Sequence, residues 1–200
     1  MTVKAPYLPY DKLRTCAAEF LAQHHPSGTV PTPIAAIVEF QFGMDIVPIP
    51  GLRDLFEVDS SISNDLTTIY VDEFVFNKRS ARYHFSLAHE LSHRLIHGEV
   101  FRQLVFRNLA EWKRAITSIP PDQYNWIEWQ AYSLAGLILV PSGPLRAAYD
   151  RTSTRAALAG VVVEDADVQA RRIVAASLAK EFCVSADVIQ KRLKYDRIWQ

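Results

Sequence analysis

Two histidines lie four residues apart in the segment HELSH, and a glutamate directly follows the first of them. On a helix, positions i and i+4 share one face, so His89 and His93 can present both imidazoles to one metal ion. Glu90 points to the adjoining sector, where a carboxylate can serve as a general base in hydrolysis. The pattern is typical of zinc hydrolases, but it also occurs by chance. Its meaning depends on the elements that position these side chains.

The surrounding sequence predicts a buried helix from Phe85 to about His97, with Gly98 as its stop. Its apolar residues cover much of the circumference: Leu87, Ala88, Leu91, Leu95 and Ile96. Burying two imidazoles and a carboxylate in such a helix costs several kcal/mol unless each group is paired. A divalent cation is the most economical partner for all three, and the motif favours Zn²⁺.

A third ligand, Glu128, lies near the start of the next strongly apolar segment, NWIEWQAYSLAGLILVP. We expect this segment to form a second buried helix, capped by Asp122 or Asn125 and closed by the following proline. Alanines three and seven residues after Glu128 permit close packing against the first helix. Two histidines and a glutamate leave a fourth position open, which is the arrangement of a catalytic rather than a structural zinc site.

Glu99 is the competing third ligand, because it comes just after the predicted helix stop. The metzincin pattern requires glycine at position 96 and histidine at position 99, where this chain has Ile96 and Glu99, so that class is excluded. Glu128 is the preferred ligand.

Hydrolysis of a peptide also needs a hydrogen-bond donor for the developing oxyanion, in addition to the metal. His97 lies on roughly the same helix face as His93, and Tyr132 follows Glu128 by one turn. Each could instead be a structural side chain that is hydrogen-bonded in the wall of the core. The sequence leaves the choice open among four candidates: Tyr132, His97, His84 and Tyr83.

The remaining patterns predict an α+β fold. Two amphipathic helices are expected in YDKLRTCAAEFLAQHH and TPIAAIVEFQFG, followed by a proline-limited edge strand in MDIVPIPG. Apolar and polar residues alternate from Leu55 to Phe76 around an Asn64-Asp65 turn, which predicts a small antiparallel sheet. We expect this sheet to pack on the helix that carries HELSH.

The chain is predicted to have two parts. Residues 1–150 contain the candidate metal site, and residues 151–200 are expected to form a helical hairpin that packs on this core. RTSTR, residues 151–155, is the candidate linker. Two helices from Asp165 onward are expected to meet at the segment 183–185.

The hairpin also raises the alternative of nucleic-acid binding. Residues 179–194 resemble a helix-turn-helix, with Lys191, Arg192 and Lys194 on the second helix and Cys183 where glycine normally makes the turn. From residue 165 onward, seven Lys and Arg oppose five Asp and Glu, a weak basic excess for a DNA-binding module. A structural hairpin is therefore the preferred interpretation.

Composition narrows the functional classes further. The 200 residues are 49% hydrophobic. Lys plus Arg balance Asp plus Glu at 22 each, so the chain has no net positive charge that would attract nucleic acid or anionic lipid. The N-terminal sequence lacks an apolar signal core, and no apolar run is long enough to span a bilayer. The two cysteines, Cys16 and Cys183, are far apart in sequence, which is consistent with a reducing compartment in which no disulfide forms. These features predict a cytoplasmic protein.

The segments RYHFSLAHELSHRLIHGE and IEWQAYSLAGLILVP together resemble the ImmA/IrrE family of metallo-endopeptidases. The resemblance implies a zincin-like metallopeptidase core in residues 1–150. It implies that His89, His93 and Glu128 bind Zn²⁺ and that Glu90 is the catalytic carboxylate. Tyr132 stands where the family usually has asparagine, which puts the lining of the pocket in doubt.

The resemblance also implies a partner. Similar proteins cleave a helix-turn-helix repressor, or regulate through one, so the expected activity is zinc-dependent cleavage of a regulatory protein. Two non-enzymatic alternatives stay open: a metal-dependent regulator, and a toxin–antitoxin partner with a structural zinc site.

Overall fold

The computed structural model describes residues 3–158 and 168–199. Within these ranges the chain is mostly helical and has one small sheet, as expected for an α+β fold. No helix in the described ranges combines the length and the apolar character that crossing a bilayer requires. The helices are α1 Tyr10–His24, α2 Ile34–Ala36 with a π-helical continuation Ile37–Gln41, α3 Leu52–Phe56, α4 Glu73–Lys78, α5 Ser80–Ile96, α6 Gly98–Gln103, α7 Leu109–Thr117, α8 Pro121–Leu139, α9 Ser142–Leu158, α10 Val168–Phe182 and α11 Ala186–Tyr195.

The sheet is mixed rather than antiparallel. Its strands are β1 Asp45–Ile49, β2 Ser60–Ile62 and β3 Thr68–Asp72, in the order β1-β3-β2. The β2–β3 hairpin is antiparallel as predicted, but β1 pairs with β3 in parallel. The prediction failed there because alternation identifies strands without giving the direction of their partners. Both ends of the predicted meander are helical, in α3 and α4.

Helices α5 and α8 form the centre of the molecule and make the most extensive contact between any two described elements. Their facing surfaces carry small side chains, and Ala88, Ala131 and Ala135 are fully buried. Helix α8 begins at Pro121, earlier than the predicted Asp122 or Asn125 cap, because proline suits the first turn, where the backbone N–H has no helical partner. The predicted close packing of the two helices is confirmed.

The N-terminal segment before α1 lies along α8. The backbone N–H of Ala5 donates to Oε1 of Gln123 at 2.9 Å. The carbonyl of Pro6 accepts from Nε1 of Trp126 at 3.3 Å and from Nε2 of Gln130 at 2.7 Å. These bonds fix residues 5 and 6 against the helix that carries Glu128.

The C-terminal helices α10 and α11 form a hairpin that turns at residues 183–185, as predicted, and residues 165–167 lie outside the described residues. Cys183 makes the turn with a φ of 52°, the left-handed conformation that glycine usually supplies. Helix α11 packs on α8, where Gly136 leaves room for Val188. Residues 151–155 are helical within α9, so the predicted linker is wrong and the predicted division at 150 falls inside a helix.

Candidate metal centre

Three side chains converge between α5 and α8. Nε2 of His89 lies 3.1 Å from Nε2 of His93, and the two nitrogens lie 3.2 and 3.5 Å from the carboxylate oxygens of Glu128. The two histidines share one face of α5 because they are one turn apart. Glu128 reaches them from α8, which the small residues between the helices bring close.

The spacing of these atoms fits a metal ion. A tetrahedral zinc site with bonds of about 2.0–2.1 Å places neighbouring ligand atoms about 3.3 Å apart. The three measured separations, 3.1, 3.2 and 3.5 Å, lie around that value. The residue types are two nitrogen ligands and one carboxylate, the set that open, catalytic zinc sites use.

The charges of the cluster also favour a cation. Burial lowers the pKa of His93 well below its ordinary value, so its ring is neutral. Burial opposes ionisation of Glu128, but the hydrogen bond from His89 and the neighbouring imidazoles outweigh it and lower its pKa to about 2. Burial also opposes a charge on His89, yet Glu128 raises the pKa of that ring. The cluster therefore holds a negative carboxylate that needs one positive charge beside it.

Glu90 lies next to the cluster and off its ligand face. The residue is 5% exposed, and Oγ of Ser60 on β2 donates to its Oε1 at 2.7 Å. Burial raises the pKa of Glu90 to about 7, an effect that the nearby His89 and the Ser60 hydrogen bond oppose. A carboxylate with such a pKa can accept and release a proton near neutral pH.

An open cleft of about 240 Å³ gives access to these groups. Helix α7 forms one of its walls with Trp112 and Ile116, and β2 and α5 contribute others. The cluster and Glu90 lie in the lining, so a substrate can reach both. The remaining lining residues are mostly apolar or aromatic: Val58, Asp59, Ser60, Phe85, Ser86, Phe101, Tyr124 and Tyr132.

The candidate oxyanion donors are separated by the fold. Tyr132 lines the cleft, with its ring 4.7 Å from that of Phe85 and 4.0 Å from Nζ of Lys191. His97 is 1% exposed and lies behind His93, outside the cleft. His84 and Tyr83 do not line the cleft either.

His97 takes the structural alternative that the sequence left open, because the same helix face extends from the cleft into the core. Its ring contacts that of His93 on the side away from Glu128, through the Nδ1 atoms. The competing ligand Glu99 lies on α6 with 84% of its side chain exposed and pairs with Arg102. The structure therefore brings Glu128, and not Glu99, to the two histidines.

Tyr124 and Ser60 belong to the site but were not predicted. Tyr124 precedes Glu128 by one turn, and burial together with the charges of Glu128 and Glu90 raises its pKa to about 12. The spacing of Tyr124, Glu128 and Tyr132 places all three on one face of α8, a signal that the sequence contains. Ser60 carried no comparable signal, because its place beside Glu90 depends on how β2 packs on α5.

A helix with H-E-x-x-H, a glutamate ligand from a second helix and a buried glutamate beside an open cleft is the arrangement of the H-E-x-x-H metallopeptidases. Residues 68–194 match the model of the family Peptidase M78, described as the IrrE N-terminal-like domain, and the chain belongs to this family. The resemblance noted from the sequence is thereby confirmed. No curated protein matches the chain in sequence.

A solved structure, that of a Mycobacterium tuberculosis transcriptional regulator, has a similar fold, with a TM-score of 0.55 and 14% sequence identity. The similar region covers 92% of this chain and 46% of the mycobacterial one. The chain therefore spans less than half the length of that protein. At this identity the likeness concerns the fold alone.

Proposed function

We propose that this protein is a zinc-dependent endopeptidase that cleaves a regulatory protein, a helix-turn-helix transcriptional repressor. The observation that carries the proposal is the buried Glu90 beside the cluster of His89, His93 and Glu128 at an open cleft. A structural zinc site needs neither an open coordination position nor a buried carboxylate next to the ligands.

His89, His93 and Glu128 are the residues that would hold the zinc ion. Bound there, the ion would supply Lewis acidity for a water molecule and for the carbonyl of the scissile peptide. Glu90 takes the proton from the attacking water and passes it to the leaving amine. Ser60 orients the carboxylate for this exchange through its hydrogen bond to Oε1.

Two tyrosines on α8 can donate a hydrogen bond to the carbonyl oxygen as negative charge develops on it. Tyr132, the candidate from the sequence, lies in the cleft one turn after Glu128, and Tyr124 lies one turn before it. The raised pKa of Tyr124 keeps its hydroxyl protonated. Both residues are assigned to this role, and Tyr124→Phe and Tyr132→Phe test them separately, because loss of the donor should slow cleavage of the repressor while zinc binding stays intact.

Three points support the choice of substrate. The family is named for an IrrE-like domain, and the sequence resembles proteins that act on helix-turn-helix repressors. The mycobacterial protein of similar fold is called a transcriptional regulator. In addition, the aromatic and aliphatic walls of the cleft, including Phe101 and Trp112, suit an apolar side chain next to the cleaved bond.

We expect the reading frame beside this gene to encode a helix-turn-helix repressor, and the test is co-incubation with that protein, comparing wild type with Glu90→Gln at matched zinc content. We expect Glu90→Gln to bind zinc normally and to cleave at least about a hundredfold more slowly, because an amide cannot accept the proton. Glu99→Gln is the matched control, since Glu99 is exposed and is not part of the cluster, and it should cleave like wild type.

Equal cleavage by wild type and Glu90→Gln would remove Glu90 from the mechanism. Derepression in cells by both proteins, without cleavage by either, would instead favour the non-enzymatic, metal-dependent regulator or the toxin–antitoxin partner.

A further inference from the structure

A chain of hydrogen bonds, buried except at its Pro6 end, runs from the N-terminal segment to one of the metal ligands. Nε2 of Gln130 contacts the Pro6 carbonyl at 2.7 Å, and Oε1 of Gln130 contacts Nε2 of His97 at 2.8 Å. Nδ1 of His97 then contacts Nδ1 of His93 at 3.0 Å. The exposed fractions of Gln130, His97 and His93 are 0%, 1% and 3%. These three side chains therefore lie in the core, behind the cluster.

The direction of every bond in this chain follows from its first member. A backbone carbonyl only accepts, so the amide nitrogen of Gln130 must donate to Pro6 and its oxygen must face His97. That oxygen also only accepts, so Nε2 of His97 carries a proton. His97 is 1% exposed and hydrogen-bonds to an amide and an imidazole rather than to a carboxylate, so its ring is neutral, has one N–H and leaves Nδ1 as an acceptor. The remaining bond then requires that Nδ1 of His93 donates.

This direction decides which nitrogen of His93 can bind a metal. With the proton on Nδ1, the lone pair of Nε2 points at the cluster, 3.5 Å from the Glu128 carboxylate and 3.1 Å from Nε2 of His89. In the opposite tautomer a proton would occupy Nε2 and prevent coordination. The tautomer of His93 is therefore a condition for the metal site.

We infer that His97 and Gln130 are positioning residues that hold His93 in its Nδ1–H tautomer, and that the Pro6 carbonyl is the fixed end of this relay. The inference rests on the proposed metal-dependent function. It gives His97 a role through His93 rather than through contact with the substrate. It also makes the segment before α1 part of the support of the metal centre.

A packing role for the same residues would not depend on hydrogen-bond polarity. Pro6 accepts a second bond from Trp126 at 3.3 Å, so the anchor stays in place when Gln130 changes. His97 can be replaced by a residue that keeps an acceptor near the position of Nδ1 or by one that removes it. Asparagine and leucine provide this pair at similar size.

The first measurement is long-range ¹H–¹⁵N NMR of histidine in the full-length, zinc-free protein, which distinguishes the two tautomers directly. We expect His93 to carry its proton on Nδ1 in wild type and to lose that preference in His97→Leu. A wild-type His93 protonated on Nε2 would overturn the inference, whether or not the protein proves to be a peptidase.

The second measurement is zinc affinity by competition with a chromophoric chelator. Loss of an outer partner typically weakens metal binding by roughly 10- to 100-fold, so we expect this loss in His97→Leu and Gln130→Leu. His97→Asn should restore affinity to within a few-fold of wild type, because its amide oxygen accepts from Nδ1 of His93. Equal affinity in His97→Leu and wild type would contradict the relay, whereas absence of zinc binding in wild type would contradict the proposed function instead.

Discussion

At the scale of single residues, Glu128 joins the two halves of the metal centre. Its carboxylate is the contact from α8 to both histidines of α5, at 3.2 and 3.5 Å. The two histidines outweigh the cost of burying this group and keep its carboxylate in the ionised form that a metal ligand needs. The metal site should therefore depend on Glu128 as strongly as on His89.

We predict one zinc ion per chain in the purified protein and its loss in Glu128→Ala and His89→Ala. Two remaining ligands cannot offset the dehydration of the ion as three do, so occupancy should fall to a small fraction at equal total metal. Metal analysis by mass spectrometry measures this directly. Glu99→Ala is the control, because Glu99 pairs with Arg102 on the surface. Full occupancy in Glu128→Ala together with loss in Glu99→Ala would show that the third ligand is wrong.

The sequence could predict the residues of this site where their spacing is local. His89, Glu90 and His93 follow from one helical turn, whatever surrounds the helix. Which side of the metal a neighbouring residue reaches depends on packing. For that reason the sequence left His97 open between an oxyanion donor and a structural side chain, and the structure places it in the core. The partners that explain its position, Gln130 and Pro6, come from distant parts of the chain.

At the scale of elements, α8 contributes side chains both to the cleft and to the contact with α11. One face carries Tyr124, Glu128 and Tyr132 into the cleft. Another face receives α11 at Gly136, where a Cβ would lie 3.6 Å from Cδ of Arg192 and 3.9 Å from a methyl of Val188. The position can thus hold a small side chain in ordinary van der Waals contact, but not a large one.

We predict that Gly136→Ala stabilises the protein. Glycine in a helix interior costs roughly 0.5–1 kcal/mol relative to alanine, and the added methyl meets no clash. Gly136→Leu is the matched contrast, because its larger side chain must push α11 away from α8. Chemical denaturation should show a higher free energy of unfolding for the alanine variant and a lower one for the leucine variant. A destabilised alanine variant would mean that the two helices are closer than the structure places them.

The sequence predicted where helices occur better than it predicted where they begin and end. It also did not give the directions of the strands. The helix with HELSH and the one with Glu128 were expected because long apolar periodicity is a strong local signal. Residues 151–155 were expected as a linker because short polar residues dominate there, yet they continue α9. The direction of β1 could not be read from its own residues, because it is decided by pairing with β3.

At the scale of the whole molecule, Arg192 connects distant parts of the chain. Its guanidinium donates to the Val140 carbonyl at 3.1 Å, to Oγ of Ser142 at 3.0 Å and to the Tyr10 hydroxyl, and it pairs with Asp196 at 2.8 Å. The residue is 3% exposed. Helix α11 is thus fixed to α1 and to the end of α8, and the family match runs to residue 194 within it.

This network agrees with the structural hairpin that the sequence favoured over a DNA-binding motif. The DNA-binding alternative would place Arg192 on an exposed recognition helix, but it is buried and fully paired, and Val188, Ile189 and Leu193 on the same helix are buried as well. Lys191 lies over the ring of Tyr132, 4.0 Å from its centroid. Because the apolar face and the arginine of α11 are buried against the rest of the protein, few of its side chains are free to contact phosphates.

We therefore predict that Arg192 contributes to stability and that the hairpin does not bind duplex DNA specifically. Arg192→Met leaves Asp196 with Arg14 at 3.1 Å but removes its buried partner and the hydrogen bonds to Val140, Ser142 and Tyr10, so the free energy of unfolding should fall by roughly 2–3 kcal/mol. Lys194→Ala is the control, because Lys194 is exposed on the same helix and should change stability by less than about 0.5 kcal/mol. Chemical denaturation compares the two variants.

Fluorescence anisotropy with labelled duplex DNA at low and physiological salt tests binding in wild type. Binding that appears only at low salt would reflect nonspecific contacts to phosphates, which the prediction allows. A sequence-specific complex that persists at physiological salt and is lost in Lys194→Ala, a variant with intact folding, would establish the hairpin as a DNA-binding element.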